Sequence, residues 1–117
     1  MSRKKFKYVY CKSGFGVSVQ ASSGSYCTPR DNLGPYSTVE LGFPSASDEL
    51  IIGFADDKDS PTETVYGYVP VGLVQALLIK HGGVIEGDLP VFQMNEEQAA
   101  ILAIALCDHS NTKHENL

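Results

Sequence analysis

Thr64-Val65-Tyr66-Gly67-Tyr68-Val69-Pro70 runs directly into Val71-Gly72-Leu73-Val74-Gln75-Ala76-Leu77-Leu78-Ile79-Lys80-His81-Gly82, and the apolar period changes at the proline. Before it, residues alternate, with aromatics on one face, as a β-strand requires. After it, Val71, Val74, Leu77 and Leu78 follow the spacing of an amphipathic helix. Pro70 is tolerated there because the first helical turn has no intrahelical use for its missing N–H. Lys80 and His81 fall in the last turn, where cations complement the helix dipole. Gly82 is a natural residue just beyond the end. The spacing predicts a strand followed by a helix over 71–81, and so an α+β domain.

Working outward, Phe6-Lys7-Tyr8-Val9-Tyr10-Cys11 alternates, with Phe6, Tyr8 and Tyr10 on one face. Ser13-Gly14-Phe15-Gly16 is a turn signal, and Val17-Ser18-Val19-Gln20-Ala21 alternates again. Together they predict an N-terminal β-hairpin. Residues 37–43 predict a third strand with Val39, Leu41 and Phe43 facing inward, ended by Pro44. Within 45–54, serines and acids suggest a helical turn leading into a short extended piece through Leu50-Ile51-Ile52. Val84-Ile85-Glu86 is a short strand or an extended exit. The predicted fold class is an antiparallel sheet of four to five strands packed by one amphipathic helix, plus a C-terminal apolar helix.

That last helix is expected over 96–108. Asn95 and Gln98 have the spacing of a capping box, and residues 99–107 are apolar all round. A helix without a polar face needs cover on several sides. Ile101, Leu102, Ile104 and Leu106 are therefore candidate oligomer-interface residues, in a homo-oligomer (simplest, a homodimer) or a heteromeric contact; burial against the sheet is the alternative. The expected organisation is one domain over 1–109 and a polar, disordered tail over 110–117.

The chain has 117 residues, 43 % hydrophobic and 20 % charged, which excludes general disorder. The net charge of −5 argues against a wholly basic nucleic-acid binder. That charge is segregated: residues 1–30 carry +6 and no acid, whereas 31–112 carry −11. Such polarity creates a field that selects partners. No apolar run follows the basic start as a signal peptide would need, and none is long enough to span a membrane. A cytoplasmic protein without a membrane role is expected.

Chemistry-bearing motifs are sparse. Cys11, Cys27 and Cys107 are odd in number and lack CxxC spacing, so they predict reduced thiols. Cys107 and His109 do not form a ready chelate on a helix, and Cys27 with His81 has no local support as a nucleophilic pair. Asp56, Asp57 and Asp59 resemble the start of a calcium loop. Counting from Asp57, however, Thr62 stands where glycine is needed and Tyr68 where glutamate is needed. No catalytic residue, metal or cofactor is assigned.

Two candidate surfaces remain. The Ser-, Gly- and Pro-rich loop over 22–36 offers Ser23, Ser25, Tyr26, Thr28, Arg30 and Tyr36 as ligand-binding candidates. Small hydroxyl residues let backbone N–H groups approach a phosphate, Arg30 could clamp it, and the tyrosines could stack on a base. The acidic body offers Asp56, Asp57 and Asp59, with Tyr66 and Tyr68 as anchors if exposed, for a partner with a basic surface.

The runs Tyr8 to Gln20, Tyr26-Cys27-Thr28-Pro29-Arg30, Gly34-Pro35-Tyr36, and Tyr66-Gly67-Tyr68-Val69-Pro70 followed by Lys80-His81-Gly82-Gly83 resemble small bacteriophage- or prophage-encoded accessory proteins. The resemblance spans residues 8–90. It implies a protein acting in a bacterial host by binding a host factor, and it brings no site residues with it. The leading expectation is a non-enzymatic binding protein, a phage-encoded modulator of a host protein. A nucleotide- or phosphate-sequestering protein using the 22–36 loop is the alternative; an enzyme without a recognisable motif is the third.

Overall fold

The computed structural model of the chain describes residues 5–93. Five strands form one antiparallel sheet: β1 (Val9–Cys11), β2 (Gly16–Gln20), β3 (Thr38–Gly42), β4 (Val65–Pro70) and β5 (Val84–Glu86). Their spatial order is β4-β3-β2-β1-β5. Helix α1 (Val71–Lys80), the one α-helix among the described residues, follows β4 without a break. The expected 99–107 apolar helix, its Asn95 cap, the interface candidates Ile101, Leu102, Ile104 and Leu106, and the polar tail lie outside the described residues.

The hairpin forms as expected. Val9 pairs with Val17 and Tyr10 with Gly16. Lys12-Ser13-Gly14 makes the connection, and Gly14 has φ +99°, a conformation that side chains disfavour. Val9, Cys11, Val17, Val19, Val39 and Leu41 point to one sheet face and are buried. Helix α1 lays Val71, Val74, Leu77 and Leu78 into the same core, the four residues its periodicity selects. Each such side chain contributes roughly 1.5–3 kcal/mol of transfer free energy. The opposite sheet face carries Tyr10, Ser18, Gln20 and Glu40, which are half-buried or exposed.

Three expectations change, two through local breaks in alternation and one through a side-chain cap. In β4, Val69 faces Val39 and Tyr66 faces Leu41. Gly67 and Tyr68 therefore oppose Glu40 alone, a β-bulge. The bulge lets both Tyr66 and Val69 enter the core at 0 % exposure. Tyr68 turns outward with φ +54°. The aromatics of β4 are thus not on one face, and Tyr66 is a core residue whose hydroxyl donates to the Pro61 carbonyl at 2.6 Å.

Phe43 is also reversed. It has φ +49° and lies exposed, while Pro44 takes the buried place beside it. In 45–55 the turn falls later than expected. Asp48 Oδ1 accepts the Leu50 N–H at 2.9 Å, and the Asp48 carbonyl accepts from Ile51 and Ile52. A single 3-10 turn then spans Ile52–Phe54. Only Ala55 is extended, bridging to Tyr66. Leu50-Ile51-Ile52 is no strand, because the Asp48 cap commits those N–H groups to turns.

Candidate functional site

The first half of the 22–36 loop spends its backbone donors on itself and on β3. The N–H groups of Ser25, Cys27 and Thr28 bond to the carbonyls of Ser22, Ser25 and Thr38. Ser23 N–H donates to Asn32 Oδ1, Gly24 N–H to Ser22 Oγ, and Tyr26 N–H to Glu40 Oε1. Six consecutive donors are therefore engaged, and residues 23–28 offer no nest of N–H groups to an anion. Ser25 is buried, its hydroxyl 3.0 Å from that of Ser22. Thr28 Oγ1 bonds Thr38 Oγ1. The Cys27 thiol lies 3.3 Å from the carbonyls of Ser22 and of Pro29, either of which can accept its one proton. Burial pushes the Cys27 and Cys11 thiols above their ordinary value.

The loop's two tyrosines part company. Tyr36 is buried, and its hydroxyl donates to the Asp31 carbonyl at 2.9 Å. It borders a separate cavity of about 160 Å³ with Phe6, Leu33 and Val91. It therefore cannot stack on a base beside Arg30 as the sequence suggested. Tyr26 instead crosses to the bulge in β4. Its carbonyl accepts the Tyr68 N–H at 3.0 Å. Its side chain lies over Gly67, where an added Cβ would come within 3.3 Å of the Tyr26 Cβ. The glycine thus lets the Tyr26 side chain lie close against the strand.

This docking builds an open groove of about 330 Å³, lined by Tyr26, Phe54, Ala55, Val65, Gly67 and Tyr68, with Asp56 as its charged member. Tyr26 is 49 % exposed, Tyr68 47 % and Phe54 36 %. The two tyrosine rings lie 5.9 Å apart at 40°. The Arg30 guanidinium sits 5.8 Å from the Tyr26 centroid. The acidic loop adjoins the groove: Asp56 N–H bonds the Val65 carbonyl, and Asp57 N–H bonds Thr64 Oγ1. Asp57 Oδ1 accepts the Asp59 N–H, so that carboxylate shapes its own turn. Among the described residues, Asp56 has no ion-pair partner.

Tyr26 came from one candidate set, Asp56 and Tyr68 from the other; the groove unites them, and Arg30 lies over the Tyr26 ring outside its lining. Phe54, Gly67 and Glu40 were not singled out. The only advance signal for the bulge is the glycine between two tyrosines, which invites a break in strand alternation.

A second constellation was not foreseen. Asp48, only 6 % exposed, binds His81 Nε2 through Oδ2 at 2.8 Å. Lys80 Nζ reaches the same carboxylate at 3.1 Å. His81 Nδ1 lies 3.4 Å from Ser13 Oγ, and the imidazole stacks on Phe15 at 4.0 Å. Burial pushes the Asp48 carboxyl upward. Hydrogen bonds from the Leu50 N–H, His81 and Lys80, with the Lys80 charge, outweigh this and hold it below the ordinary carboxylate range.

Serine, histidine and aspartate in a row resemble a nucleophilic relay, which also needs donors aimed at a developing oxyanion. Here the N–H groups of Cys11, Lys12, Ser13 and Gly14 all bond to backbone carbonyls. Phe15 N–H goes to Ser13 Oγ and Gly16 N–H to Ser45 Oγ. The turn has no donor to spare, and the arrangement is a clamp joining hairpin, helix end and the 48–54 turn.

Among the described residues no group of three or more His, Cys, Asp or Glu side chains is placed to hold a metal ion. No helix among them is long and apolar enough to cross a membrane. Comparison of the chain with protein-family models, with characterised proteins and with solved structures finds no match.

Proposed function

We propose that the protein is a non-enzymatic binding module, a phage-encoded modulator of a host protein, and that it grips a basic surface of that partner through the Tyr26–Phe54–Tyr68 groove. The observation that carries this reading is the convergence of three exposed aromatics, from three separate segments, on a groove whose charged lining residue is acidic. Tyrosine is enriched among residues that dominate binding energy, because it combines apolar area with a polar tip. The carboxylates of Asp57, Asp59 and Glu63 extend the negative field beyond the groove and would speed the approach of a basic partner.

The backbone points the same way. A non-glycine residue at positive φ costs about 1–3 kcal/mol when the surrounding structure holds it there. Tyr68 is held so at the lip of the groove.

The test is capture of partners from a bacterial lysate by the tagged full chain at low and at moderate salt. Reversing the charges of Asp56, Asp57 and Asp59 should weaken capture and flatten its salt dependence. Unchanged capture would refute the acidic-face mechanism.

The nucleotide reading retains one supporting feature, the Arg30 guanidinium over the Tyr26 ring. If it held, nucleotides would raise the melting temperature of the wild type and not of Arg30→Ala.

A further inference from the structure

Resting on the groove as the binding face, we propose that it accepts a single cationic side chain of the partner, a lysine ammonium or arginine guanidinium. The cation sits at the mouth of the wedge between Tyr26 and Tyr68, with Asp56 as its counter-ion. An aromatic ring presents a negative face and attracts a cation within about 6 Å of its centroid. Rings 5.9 Å apart and tilted by 40° can share one cation at that reach. Phe54 adds a third ring to the lining, and Asp56 adds the only formal charge. Its carboxylate has no ion-pair partner among the described residues, whereas Asp48, on the far side of the Ile52–Phe54 turn, holds both Lys80 and His81.

The molecule already shows one ring bearing a cation. Arg30 lies 5.8 Å from the Tyr26 centroid, on an exposed loop. Arg30 is not part of the groove lining, but an arriving cation meets its like charge through the shared Tyr26 ring. Two opposite expectations follow. If the groove takes a cation, Arg30→Ala tightens binding. If it takes a phosphate, Arg30→Ala abolishes it.

The probe is acetyl-Gly-Lys-Gly amide, compared with the same peptide acetylated on the lysine nitrogen, titrated into the full chain at fixed ionic strength and followed by NMR of the aromatic rings. Acetylation removes the charge and keeps the apolar stem. The lysine peptide should shift Tyr26, Phe54 and Tyr68 and bind roughly tenfold more tightly than the acetylated one. Tyr68→Gly should abolish the shifts, and Asp56→Asn should weaken binding by about threefold without disturbing the fold. Arg30→Ala should tighten it by about twofold.

Equal binding of the two peptides would overturn the proposal and leave a merely apolar groove. Shifts confined to the 57–63 loop would overturn it too, leaving charge attraction alone. If lysate capture still fails with Tyr68→Gly while the two peptides bind alike, the binding face stands and the cation site falls. If neither responds to Tyr68→Gly, both fall.

Discussion

Asp48 and Asp56 flank the same 3-10 turn, Ile52–Phe54, and serve opposite ends. Asp48 is buried and saturated: the Leu50 N–H, His81 and Lys80 all reach its carboxylate. Asp56 is exposed, lines the aromatic groove and has no ion-pair partner among the described residues. The clamp around Asp48 contains the residue types of a catalytic relay, yet every neighbouring donor is already engaged. The groove beside Asp56 contains no such relay, yet leaves three rings and a carboxylate open. Chemical identity alone misleads here. What separates a fastening from a site is whether its groups are already satisfied.

The contrast can be broken most forcefully at Asp48. Asp48→Ala removes the acceptor of a half-buried ion pair and of the Leu50 cap, and should cost about 2 kcal/mol. Urea unfolding would read this, and partner capture by the folded variant should be unchanged. A variant as stable as the wild type would show that the clamp fastens nothing.

Tyr68→Gly probes the other side. Binding should fall at least about tenfold, as for a central tyrosine anchor. Stability should stay within about 1 kcal/mol of the wild type, because relief at positive φ offsets the lost ring contact and the added chain freedom of glycine. A large drop in stability would mean that the tyrosine is structural.

Acid sharpens the comparison without changing the chain's geometry. The folded-state value of Asp48 is depressed. Its contribution is therefore complete above the unfolded carboxylate value of about 3.9 and is lost as pH falls through the depressed folded value. The stability gap between wild type and Asp48→Asn should be constant near neutrality and narrow below about pH 3.9. A gap independent of acid would remove the charge from the explanation. Asp56→Asn should change thermal stability by no more than about 0.5 kcal/mol near neutrality, as expected of an exposed side chain.

The smallest effect concerns the thiols. Cys11 and Cys27 are buried, with values raised by that burial. In the native protein they should resist a thiol reagent and react once urea is added. Rapid labelling of Cys27 at native conditions would show that the 22–36 loop opens more readily than its hydrogen bonds imply.

Where the chain obeys one period, the sequence was sufficient. The helix face Val71, Val74, Leu77 and Leu78 and the hairpin of Val9 with Val17 are local patterns, and both form. Tyr66 and Tyr68 alternate in sequence and would share a face in a regular strand. One extra residue opposite Glu40 sends them to opposite sides. Phe43 fails for the same kind of reason, through a single positive φ at a strand end. The Asp48–His81 bond joins residues 33 apart, and no local pattern announces it. The groove lay in between. Tyr26, Arg30, Asp56 and Tyr68 were each singled out by residue type, but their assembly depends on Tyr26 folding back over Gly67.

The most direct test compares Tyr68→Gly with Asp48→Asn in one lysate capture, each normalised to its folded fraction by circular dichroism. The open-groove account predicts that Tyr68→Gly keeps its fold and loses its partner, whereas Asp48→Asn loses stability and keeps its partner. Capture that survives in Tyr68→Gly and disappears in folded Asp48→Asn would contradict it and move the binding site to the clamp.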